Sequence, residues 1–142
     1  MVPEINYWAV LLATASSMVV GSIWYTPKVF GTRWSKLANV DMDRPAASAT
    51  WAIVTTVIVS FITSWVLAGA SAISWHFYGG SFFWGAIVTA VTLWAGFTAA
   101  RFITHDAFEG RSTALTTLNI AHELVTVVVM AVLIGVWPPA LA

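Results

Sequence analysis

From Pro45 to Ala100 the chain carries no Asp, Glu, Lys or Arg. A soluble domain needs charge on about a quarter of its residues to cover its surface, so a stretch of this length without any calls for a bilayer. The rest of the sequence agrees: of 142 residues, 59% are hydrophobic and 8% charged, with six basic and six acidic side chains. The formal net charge of zero says little about partners; where the charges sit says more.

A hydrocarbon core of roughly 30 Å takes about 20 apolar residues of helix. Four segments qualify: 5–25, 47–73, 82–103 and 113–137. The expected fold is all-α, a polytopic membrane protein forming one four-helix transmembrane domain over 1–142. The stretch Ala13-Thr14-Ala15 resembles a signal-peptide cleavage site, but only Glu4 precedes the apolar run and the run continues to Trp24, so a first span is the better reading. Trp75-His76-Phe77-Tyr78-Gly79-Gly80-Ser81 reads as a short turn between the second and third spans.

Lys and Arg in short loops are retained in the cytoplasm. Lys28, Arg33, Lys36 and Arg44 follow the first span, and Arg101 and Arg111 flank the loop after the third, so every basic residue falls on one side. The pattern predicts both termini outside. Segment 28–38 is too polar to span, yet Phe30, Trp34 and Leu37 recur at helical spacing, which predicts an amphipathic helix lying in the cytoplasmic interface. Asp43, ahead of Pro45, fits an N-cap for the second span.

Lipid gives helices no hydrophobic reason to associate, so small residues that admit close backbone approach mark packing faces. They recur every four residues at Ala9, Ala13, Ser17 and Gly21; at Thr56, Ser60, Ser64, Ala68 and Ala72; and at Thr92, Gly96 and Ala100, with Ala86 and Ala90 beside them. So many stripes on four helices suggest a homo-oligomer in which some of them face another subunit.

The fourth span carries the polar residues of most interest. Asn119, His122, Glu123 and Thr126 share one stripe at 100° per residue. Glu123 stands about 18 Å of helix beyond Arg111, which places it near mid-membrane. A carboxylate there must stay protonated, pair with a cation such as His122 or Arg101, or line a water-filled cavity. The stripe reads equally as a proton, ion or solute site and as interhelical hydrogen-bonding glue. His105, Asp106 and Glu109 read as a solvated loop rather than a metal site, which takes three or four fixed ligands. There are no cysteines, Gly-x-Ser-x-Gly elbow, phosphate loop or basic nucleic-acid patch, so neither an enzyme, a cofactor nor a nucleic-acid partner is expected.

At the end of the first span the chain reads Gly21-Ser-Ile-Trp24-Tyr25-Thr-Pro27-Lys-Val-Phe30-Gly31-Thr-Arg-Trp34. This resembles the hallmark of a bacterial membrane family, domain of unknown function 1761, with its Gly-x-x-Trp-Tyr-x-Pro-x-x-Phe-Gly-x-x-Trp signature. Phe108-Glu109-Gly110-Arg111-Ser112, leading into a span with Asn119 and His122, is similar too. The resemblance implies a four-span fold and residence in the bacterial inner membrane, and no activity. Read physically, Trp24 and Tyr25 anchor an interface, Pro27 breaks the helix, and Gly31 permits a close turn-back. The functional expectation is a small membrane protein that binds or moves a small solute or proton through the stripe on the fourth span. The alternative is an accessory subunit without transport activity.

Overall fold

The computed structural model describes residues 3–41 and 46–140, without the side chains of 46–48. Arg44 and the expected capping pair Asp43 and Pro45 lie outside the described residues.

The chain is helical wherever hydropathy predicts a span. α1 covers Tyr7–Trp24, and the Asn6 side chain caps it by accepting from the amides of Trp8 and Ala9. A short α2 covers Gly31–Ala38 and α3 covers Ala46–Tyr78. The third span is α4, Phe82–Leu93, continued by a π-helical stretch, Trp94–Ala99, and by α5, Ala100–Glu109. α6, Thr113–Val136, starts at Ser112, whose hydroxyl accepts from the Leu115 amide. Four of these helical rods, 7–24, 49–78, 82–109 and 113–136, are long and apolar enough to cross a membrane.

Two spans outrun their expected lengths. The third continues from residue 103 to Glu109, where Gly110 adopts a left-handed conformation (φ 68°) and stops it. The charges that suggested a loop sit on a helix instead, with His105 and Glu109 exposed and Asp106 buried. The second runs on through Trp75 to Tyr78, ended by Gly79 and Gly80, both at positive φ.

The helices form a closed square in which α1 and α4 each pack between α3 and α6. Small residues let the rods approach. Ala9, Ala13 and Ser17 of α1, Ser60, Ser64, Ala68 and Ala72 of α3, and Ala86 and Ala90 of α4 are all buried. Deep in the α1–α3 contact the Thr14 and Ser64 hydroxyls lie 2.8 Å apart, and Thr14 also donates to the Val10 carbonyl. Interhelical polar contacts of this kind contribute about 0.6 kcal/mol on average. Thr92, Gly96 and Ala100 are exposed, so the third span's stripe divides: its alanines at 86 and 90 face the core and the remainder faces outward. Thr56 is exposed as well.

Packing is uneven along the bundle. The buried cluster gathers Val10, Leu67, Phe82, Met130 and Ile134, toward the end that holds the 79–81 turn. At the other end, which carries the described basic residues, α3 stands away from its neighbours, and its residues 49–59 are all exposed. A cavity opens there.

Candidate functional site

The site begins where α1 stops. Tyr25 caps the helix, and the chain reverses through Pro27 so tightly that the Gly31 amide donates to the Thr26 carbonyl at 2.9 Å. A Cβ on Gly31 would come within 2.1 Å of the Tyr25 carbonyl oxygen, so no other residue fits the turn without moving backbone. The reversal returns α2 against α6. Its faces agree with its sequence: Trp34 and Leu37 are partly buried while Arg33 and Lys36 are exposed.

The fold of this turn brings the motif onto the polar stripe. The Trp34 indole N–H donates to Asn119 Oδ1 at 3.2 Å. The Tyr25 ring sits between two others, its centroid 5.0 Å from that of Trp34 and 5.0 Å from that of His122. Trp24 meets His122 edge-on at 5.7 Å and stacks at 4.4 Å on Phe30. Gly21 completes the wall: a Cβ there would touch His122 Nε2 at 3.7 Å. Pro27 is exposed and acts only by ending the helix. Two features that the sequence presents separately thus form one cluster.

His122 Nδ1 lies 3.4 Å from Glu123 Oε1. Nε2 of the same ring and Nε1 of Trp24 are buried with no hydrogen-bond partner. Buried polar atoms are seldom left so in a folded protein, so these two mark a place where a water, an ion or a solute can be bound. Glu123 is less secluded, its side chain 37% exposed. The Thr126 hydroxyl is spent on its own helix, donating to the His122 carbonyl at 2.9 Å. Arg101 is exposed on the third span, and the side chain that stands beside the Glu123 carboxyl is the His122 imidazole.

Two cavities meet at Glu123. The larger, about 570 Å³, lies between α1, α3 and α6 and is bordered by Ser17, Ser22, Tyr25, Thr56, His122, Glu123 and Thr126 with several apolar side chains. The smaller, about 210 Å³, lies toward the basic end and is bordered by Tyr25, Trp34, Arg111, Asn119 and Glu123. Because Tyr25 ends α1 and borders both, Glu123 sits level with the end of the first span.

Beside this site lies a cluster that sequence reasoning missed. Asp106, its side chain 7% exposed, accepts from the Thr116 hydroxyl at 2.7 Å and stands 3.8 Å from Arg111 Nε, which itself donates to Glu109 at 2.6 Å. The available signal was spacing: Phe102 and Asp106 stand one turn apart on a helix that the charges disguised as a loop. Among the described residues, no three His, Asp or Glu side chains gather as a metal site requires.

No curated protein and no solved structure matches this chain. A family profile does match, over residues 8–135, a range that includes the Trp24–Trp34 turn and the His122–Glu123 pair. The chain belongs to the family described as protein of unknown function, DUF1761.

Proposed function

We propose that this is a small protein of the bacterial inner membrane that binds or moves a small solute or proton, with Glu123 as the central group and His122 and Asn119 beside it. One observation carries the reading: Glu123 borders both the larger cavity among the spans and the smaller one toward the basic end, so a single carboxylate is reachable from two sides. Passage needs that double access, whereas interhelical glue does not. Tyr25 borders the same two spaces and is the natural gate between them. The reading is of a binding or transport protein rather than an enzyme. Among the described residues, the serine and threonine hydroxyls nearest the site donate to backbone carbonyls, Thr126 to that of His122, and none is bonded to the His122 imidazole or the Glu123 carboxyl as an activated nucleophile would be.

The orientation that accompanies it has both termini outside and α2 on the cytoplasmic surface, supported by Lys28, Arg33, Lys36, Arg101 and Arg111 clustering at one end. A homo-oligomer is supported by the outward stripe of Thr92, Gly96 and Ala100. Reconstituted liposomes with an internal pH dye test the central claim. An imposed potential should drive proton entry in the wild type and not in Glu123→Gln; equal rates would remove Glu123 from the mechanism. The accessory-subunit reading predicts instead no flux from either protein and a stoichiometric partner in mild detergent.

A further inference from the structure

The lining of the larger cavity has a definite polarity. Four of its hydroxyls give their protons to their own helices: Ser17 to the Thr14 carbonyl at 2.7 Å, Ser22 to Val19 at 2.8 Å, Thr56 to Ala52 at 2.7 Å and Thr126 to His122 at 2.9 Å. A hydroxyl whose hydrogen is committed offers only oxygen lone pairs to a guest. Glu123 adds a carboxylate whose Oε1 faces His122 and whose Oε2 has no partner among the described residues. No Lys or Arg borders the space, and α1, α3 and α6 contain none. Arg111 borders the smaller cavity, but its Nε already faces Glu109 and Asp106.

Four committed hydroxyls around one acid, with no Lys or Arg beside them, complement a guest that brings both donors and positive charge. Thr55, Ser60 and Thr63 border the space as well, and its apolar wall includes Met18, Val127 and Met130, on the side away from α2. The size, about 570 Å³, exceeds what a bare ion fills and suits a small organic molecule.

The geometry points to a small amphiphilic primary ammonium as the guest of this cavity, its nitrogen on Glu123 among the hydroxyl oxygens and its apolar body against Met18, Val127 and Met130. This rests on the reading of Glu123 as a binding group and names the class of solute it takes. The exposed segment 49–59 of α3 leaves the cavity open on its flank, so a guest dissolved in the bilayer reaches it from the side.

Three probes of one shape and different charge test the assignment on the intact protein in nanodiscs: benzylamine, protonated at neutral pH, benzyl alcohol and benzoate. Calorimetry should show saturable binding of benzylamine, at least tenfold weaker binding of the alcohol and none of benzoate. Glu123→Gln should lose at least tenfold for the amine, and Glu123→Asp, which keeps the charge, should recover part of it. Unchanged elution and circular dichroism would establish that both variants fold. Equal affinity for amine and alcohol, or an amine affinity unmoved in Glu123→Gln, overturns the ammonium assignment. Absence of amine binding together with Glu123-dependent proton flux overturns it too, while leaving the proton reading intact.

Discussion

The indole of Trp34 and the amide of Asn119, 85 positions apart, are joined by a 3.2 Å hydrogen bond that fastens the short helix α2 to the last span. The bond closes the outer wall of the smaller cavity, and Tyr25 packs beneath it. It makes α2 a bolted part of the bundle rather than a float on its surface.

Trp34→Phe keeps an aromatic ring against Tyr25 and removes the donor along with part of the indole's bulk. The expected cost is about 1 kcal/mol, within the range for one net hydrogen bond. Hydrogen–deuterium exchange should quicken across 31–38 and stay unchanged at the opposite end of the bundle, around Ala86 and Ile134. Slow exchange retained in 31–38 would mean that ring packing alone holds the helix.

Gly31→Ala should be the most damaging small substitution in the turn. Its methyl group meets backbone at 2.1 Å, and backbone cannot rotate aside as a side chain can. A loss of about 2–3 kcal/mol follows from overpacking of this kind. Gly85→Ala is the control, because nothing stands within 4 Å of its Cβ and α4 is helical there. It should leave the protein unchanged or stabilise it by about 0.5–1 kcal/mol. Unfolding midpoints in mixed detergent would rank the two; equal midpoints contradict the turn geometry.

Thr116→Val deprives the buried Asp106 carboxylate of its shortest contact, leaving Arg111 at 3.8 Å. Hydrogen bonds to charged groups contribute about 1.5–3 kcal/mol, and a loss in that range is expected. Asp106→Asn, which retains an acceptor for Thr116, should cost less. Thermal unfolding of the two variants and their double mutant measures the coupling, and strictly additive effects would show that the pair does not act as one.

The spans were legible in the sequence because a bilayer imposes length and apolarity on contiguous residues, as the uncharged run from Pro45 to Ala100 shows. Their ends were less so. His105, Asp106 and Glu109 look like loop residues until Gly110 is recognised as the stop. Asn119, His122 and Glu123 were visible as a stripe, and Trp24 to Trp34 as a motif, yet nothing local joins them. Their meeting depends on the sharp reversal at Gly31, a tertiary event. Asp106 was passed over for the opposite reason: burial of an acid is decided by the helix it faces, and the sequence around it advertised only solvent.

The π-helical stretch at Trp94–Ala99 has a rotational meaning for everything that follows it. In an unbroken α-helix, Asp106 would point about 160° away from Ala90, which faces the core, and so into lipid. One surplus residue wound into the turn retards the downstream phase by about 100° and brings the acid to within about 60° of that face, where Thr116 receives it. The Trp94 indole, donating at 2.9 Å to the Ile120 carbonyl, pins the place where the slip occurs. Chain length within this span is therefore a steering variable: deleting any one residue between 94 and 99 would turn the whole basic end of the rod and carry its buried carboxylate out of the protein.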